Sequence, residues 1–178
     1  MNRDQQEQLA GRFAIARAVE GVTRYDGPPA VTYSDLYNYV AGGEIDNSAW
    51  IESQLRQDTD LYQQFCDLLD LHASVQIRHV VGASTEQEFV PRIDNDQRVR
   101  LECQLSEHLQ NKVLIMLVTL VDGDWIEGDD ITVIVVDGQN HGKAVFRDLF
   151  DGRAQIIVDQ DDPFLDLLQN ANSTVYLS

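Results

Sequence analysis

The sequence predicts an α+β fold: a small N-terminal helical bundle followed by an antiparallel β-sandwich. Three observations carry that prediction. Up to about Gly82, apolar residues recur at three- and four-residue steps; from about Arg98 they alternate at every second position; and Gly, Pro, Asn and Asp punctuate both halves. With 43% hydrophobic residues in 178, the chain has the material for a packed core.

A first helix is expected from Asp4 to about Glu20, where Leu9, Phe13, Ala16 and Val19 share a face and Gly21 offers a stop. The stretch Arg24 to Ala30 contains two prolines and reads as a turn. Thr32 then caps a short helix with Leu36, Tyr39 and Val40 on one face, closed by Gly42-Gly43. Asp46 or Asn47 caps a third helix containing Trp50, Ile51 and Leu55. Thr59 is expected to cap the longest helix, whose apolar residues Leu61, Phe65, Leu68, Leu69, His72, Val75, Ile77 and Val80 continue as far as Gly82. Residues 1–82 thus form the helical domain and the polar residues 83–97 the linker to a β-sandwich domain at 98–178.

In that second domain Val99, Leu101, Cys103 and Leu105 alternate with polar residues, as in a half-buried strand. β-Branched runs follow at Lys112 to Val121 and Ile131 to Val136, then Lys143 to Phe146, Ala154 to Val158 and Thr174 to Leu177. Pro163 opens a short helix to Leu168. No internal repeat or low-complexity segment interrupts this order.

The formal charge is −17, from 13 basic and 30 acidic residues, and it is shared: 7 against 16 in residues 1–97 and 6 against 14 in 98–178. Such a field repels phosphates, so no direct nucleic-acid binding and no anionic membrane partner is expected, while encounter with a basic protein is accelerated. Cys66 and Cys103 lie in separate apolar segments without CxxC spacing and read as buried free thiols. MNRDQQEQL lacks the layout of a secretory signal, and the longest apolar run, Val113 to Val121, is too short to span a bilayer, so a cytoplasmic location is expected.

No GxSxG, Walker loop, HExxH or GxGxxG is present, and no nucleophile and base stand at a recognisable spacing, which predicts a protein that is not an enzyme. His72 and His79, seven apart, read as structural residues at a core margin. The acidic loops 122–130 and 159–162 contain carboxylates suited to calcium, but Glu127 stands where an EF-hand needs glycine, so they read as solvated turns. No cofactor and no metal are expected.

The segment Tyr33 to Leu71, with Tyr39-Val-Ala-Gly-Gly-Glu44 ending one helix and Ile51-Glu-Ser-Gln-Leu55 forming the next, resembles the helical N-terminal domain of anti-sigma factors. Many of that family bind zinc through one His and two Cys near this junction. Gln54, Asp58 and Tyr62 stand there instead, so the resemblance implies a zinc-free version. Residues Val113 to Val158 resemble the prealbumin-like repeat of collagen-adhesin B-type and carboxypeptidase-regulatory domains, through Gly142-Lys-Ala-Val-Phe146, Leu149, Gly152 and the strand Ala154 to Val158. Some adhesin relatives carry a Lys-to-Asn cross-link. Lys112 and Asn170 or Asn172 are the matching residue types, and no cross-link is expected.

The resemblance to anti-sigma factors implies a cytoplasmic regulator that sequesters a basic transcription factor, in its specific form a sigma factor. Its partner-binding residues would be Tyr33, Leu36, Tyr37, Tyr39, Val40, Trp50, Ile51 and Leu55, with Tyr37, Asp35 and Asn38 projecting outward. Proteolysis in the linker 83–97 is one route to release. An adaptor that joins two protein partners is the alternative, and an unrecognised small enzyme the second alternative.

Overall fold

A computed structural model describes residues 29–42, 47–78, 89, 91–120 and 128–178. In chain order the elements are α1 (Tyr33–Val40), α2 (Ser48–Gln57), α3 (Thr59–His72), β1 (Val75–Arg78), β2 (Arg92–Ile93), β3 (Val99–Leu105), β4 (Lys112–Thr119), β5 (Ile131–Asp137), β6 (Asn140–Phe146), β7 (Arg153–Asp159), α4 (Pro163–Gln169) and β8 (Thr174–Leu177). The expected helix Asp4 to Glu20 lies outside the described residues.

The start of α1 follows from Thr32: its Oγ1 accepts the Asp35 N–H at 3.2 Å and Asp35 Oδ2 accepts the Thr32 N–H at 2.7 Å, a reciprocal cap. Gly42 closes the turn after it with φ +81°, an angle that favours glycine. α3 is capped by Asp58, which accepts the Leu61 N–H at 2.9 Å, and Thr59 is its first helical residue. The carboxylate displaces the expected Thr59 cap because it reaches the same orphan donor while complementing the helix dipole.

α3 also ends at His72, ten residues short of the expected Gly82. Ala73 is extended, and Val75 and Ile77 enter β1, paired antiparallel with Leu177 and Val175 of β8. Apolar residues at 75 and 77 satisfy both a helical stripe and a strand alternation. Pairing with a strand a hundred residues away decides between them, so the expected boundary at residue 82 is replaced by a sheet that already begins at Val75. Likewise the second half of the expected linker contains β2, a two-residue strand that pairs with Leu101 and Arg100.

The strands form two four-stranded antiparallel sheets, one in the order β1-β8-β5-β6 and the other β2-β3-β4-β7. Between them lies one core containing Ile77, Leu101, Ile115, Val133, Phe146 and Leu177, with α4 contributing Phe164, Leu165 and Leu168. Phe146 points inward, and Gly152 takes φ +67° in the turn before β7.

The helices build a third layer. Leu36, Tyr39, Ile51, Leu55, Leu61 and Phe65 pack with Ile134 of β5 and Tyr176 of β8, which point away from the inter-sheet core. Hydrogen bonds stitch the layers: Ser178 Oγ to the Val40 carbonyl at 2.8 Å, Lys143 Nζ to the Tyr39 carbonyl at 2.8 Å, and the Tyr176 hydroxyl to Asp70 at 2.9 Å.

At the end of the sandwich, buried Arg92 spreads its guanidinium over carbonyls of Leu168, Asn170 and Ser173 and over Ser173 Oγ. A planar cation with five donors fits that fan of acceptors at the C-terminus of α4.

Candidate functional site

The eight residues expected to bind a partner fall into three groups. Leu36, Tyr39, Val40, Ile51 and Leu55 are buried, and they join the helices to the sheet. The apolar row that marked them in the sequence is the row a short helix uses to reach its own core. Tyr33 and Trp50 are half-buried against the same cluster. Tyr37 alone of the eight is exposed, at 39%, with its ring edge-on to His72 at a centroid distance of 5.0 Å. Asn38 beside it is exposed as well, and Asp35 is half-buried in its capping role.

Periodicity that buries one face of α3 leaves Asp60, Gln63, Asp67 and Asp70 on the other, all exposed. Gln63 Nε2 donates to Asp67 Oδ1 at 2.9 Å along that row. Tyr37 on α1 and this acidic row on α3 are each exposed, and the charge of the row suits a basic partner.

Beneath that surface β6 contributes a His-Lys pair on the sheet face covered by the helices. The His141 ring lies 5.1 Å from Phe65, 6.1 Å from Tyr62 and 6.3 Å from Tyr39, centroid to centroid. Both of its nitrogens are shielded from solvent and have no hydrogen-bond partner among the described residues, and burial holds its pKa below 6.5. Lys143 Nζ sits 4.5 Å over the Tyr39 ring, a cation-π contact, and the Tyr39 hydroxyl donates to Glu52 at 3.3 Å. Burial raises the Tyr39 and Tyr62 hydroxyl pKa values and lowers that of Lys143. This junction is a polar inclusion in a core.

Neither cysteine is activated. Burial raises the Cys66 thiol and pushes Cys103 up to about 11, away from the thiolate that nucleophilic or metal-binding chemistry requires. Cys103 Sγ instead accepts from Gln169 Nε2 at 3.4 Å. Of the acidic loop at 159–162, Asp159 pairs with Lys112 at 2.6 Å and Asp162 caps α4 through the Phe164 N–H at 2.8 Å. Most of the loop 122–130 lies outside the described residues. Asn170 donates to Asp137 at 2.7 Å, so Lys112 and Asn170, two of the three candidate cross-link residues, have other partners. Among the described residues no group of three or more His, Cys, Asp or Glu is placed to hold a metal ion, and no helix is long and apolar enough to cross a membrane.

The two sheets differ on their outer faces. The helices cover the sheet of β1, β8, β5 and β6, whereas β4 and β7 present half-buried Leu114, Met116 and Val118 and exposed Ile157 on the outside of the other. Sequence reading overlooked this row, although the run Ile156-Ile157-Val158 contained the signal: at a period of two, one of three consecutive apolar residues must face outward. No protein-family model, curated protein or solved structure matches this chain.

Proposed function

We propose that this chain is a non-enzymatic cytoplasmic regulator that binds and sequesters a basic transcription factor, a sigma factor in the most specific form of the reading. The observation that carries it is the acidic row Asp60, Asp67 and Asp70 exposed along α3, with Tyr37 exposed on α1. The resemblance of Tyr33 to Leu71 to anti-sigma factors adds the class of partner. In this reading the buried residues Leu36, Tyr39, Val40, Ile51 and Leu55 act as scaffold. They hold the helices against the sandwich so that the outward residues meet the partner as a rigid surface. Occlusion is the mechanism: the acidic row steers a basic DNA-binding helix, and Tyr37 anchors it. The β half is a prealbumin-like support.

Titration calorimetry of the full chain against the sigma factors of its cell tests this. Tyr37→Asp and Asp67→Lys are each expected to weaken binding about tenfold or more, with an unchanged melting midpoint and a wild-type affinity that falls with salt. Absence of binding to every sigma factor sinks the reading. The adaptor alternative is favoured by the second apolar surface, around Ile157. It predicts two partners held at once, one on the helices and one on the outer sheet face.

A further inference from the structure

We infer that two copies of this chain pair edge to edge through β7, joining their outer sheets into one eight-stranded sheet. Among the described residues β7 is the last strand of its sheet and bonds only to β4. Hydrogen bonds at its two ends define which residues face β4: the Gly152 carbonyl accepts from Thr119 N–H at 2.8 Å, and Gln160 N–H donates to the Asn111 carbonyl at 2.9 Å. In an antiparallel ladder the alternation puts the backbone groups of even-numbered residues toward β4 and those of Arg153, Gln155, Ile157 and Asp159 toward the open edge.

That edge is closed at one place. Phe150 exchanges both backbone hydrogen bonds with Arg153, at 2.9 Å each, across the tight turn Asp151-Gly152. The chain before it then bends away, with Asp148 at φ +54° and its N–H on Asp130. The Asp159 carbonyl is also taken, by the Asp162 N–H at 3.1 Å. What remains open is the ladder of Gln155 and Ile157 and the Asp159 N–H. The strand carries no proline, and its central outward side chain is an isoleucine, 52% exposed.

A second copy is the occupant that this edge fits. Arg153 is blocked by Phe150 and the Asp159 carbonyl by Asp162, so an antiparallel partner with two-fold symmetry that uses only the open groups centres on Ile156, placing Gln155 against Ile157 of the second copy and Arg153 against Asp159. In this register Arg153 and Phe150 of each copy lie beside the acidic turn Asp159 to Asp162 of the other. The Arg153 cation thus meets a surface of opposite charge. The outward row Leu114–Ile157 continues across the symmetry axis through Gln155 to Met116 of the second copy, since Leu114 is the β4 neighbour of Ile157 and Met116 that of Gln155. Repulsion between two chains of −17 is screened over about 8 Å at 0.15 M salt, which leaves the local contacts to decide.

Sedimentation equilibrium of the full chain at 0.15 M salt, from micromolar to near-millimolar concentration, tests the pairing. The expected result is a reversible dimer. Ile157→Lys is expected to weaken it at least tenfold, whereas Leu109→Lys, in the exposed β3–β4 connection, leaves it unchanged; far-UV circular dichroism establishes that both variants fold. Arg153→Glu is expected to weaken the dimer several-fold and Asp159→Arg, added to it, to restore it. A monomer throughout, or a dimer indifferent to Ile157→Lys, overturns the proposal, and failure of the charge exchange overturns the register. The measurement needs no transcription factor, so it stands or falls apart from the sequestration reading.

Discussion

β5 and β4 are neighbours in composition and opposites in surroundings. β5 buries five consecutive residues, Ile131 to Val135, because its inner face meets the other sheet and its outer face meets the helices. In β4, buried Val113, Ile115 and Leu117 alternate with half-buried Leu114, Met116 and Val118, because nothing among the described residues covers the outer side. A strand covered on both faces reads as a continuous apolar run, and one covered on a single face alternates in burial even where both rows are apolar. The comparison locates stability on one side of the sandwich and available surface on the other.

The largest expected effect tests that contrast directly. Ile134→Asp places a charge between helix and sheet and should cost roughly 4 kcal/mol or more, enough to loosen the helical layer. Met116→Asp, on the outer face, should cost only about 1 kcal/mol. Urea denaturation of both variants reads the difference, and equal losses would remove the distinction between the two faces.

Arg92→Met comes next. It leaves the carbonyls of Leu168, Asn170 and Ser173 without their donor, and a loss of about 3 kcal/mol is expected by the same measurement. Arg92→Lys should recover only part of it, since an ammonium cannot reproduce the planar fan. Full recovery would mean that charge alone, rather than geometry, anchors β2.

A smaller effect, about 1 kcal/mol, is expected from Thr32→Ala, which removes the reciprocal cap of α1. Hydrogen exchange in α1 should rise while that in β4 is unchanged.

The pH response is expected to be gradual. Burial lowers the folded-state pKa of His141 and of His72 below 6.5, so the unfolded chain takes up protons first as pH falls. Their contribution to stability is full above about pH 6.5 and is lost as pH falls below it toward the lowered folded values. Melting midpoints at pH 7.5 and 5.5 check the direction. His141→Phe should flatten the response, because it removes the titrating group whose nitrogens have no partner among the described residues.

Much of the fold was legible because local chemistry and tertiary structure agree. Thr32 caps α1 as read, Pro163 opens α4, and the alternation from Val99 and the run from Ile131 mark β3 and β5. Where local signals were ambiguous, they misled. Val75 and Ile77 fit a helix stripe as well as a strand, and Arg92-Ile93 is too short to show any period. The candidate site was the least legible part, for a definite reason: the apolar periodicity that draws attention to Leu36, Tyr39, Ile51 and Leu55 is the mark of burial, and exposed residues such as Asp67 or Ile157 are marked only as what burial of the opposite face leaves over.

By itself the sequence determined the class of most elements, their caps and turns, and the excess of negative charge. These depend on residues within a turn or two of one another. Only the tertiary structure decided that the chain leaves α3 at His72 to pair β1 with the C-terminal strand. The same is true of the packing of the helices on one sheet and of the open edge at β7. Each of these depends on contacts between residues far apart in the chain, where hydrophobic burial and strand pairing choose among local conformations of nearly equal free energy.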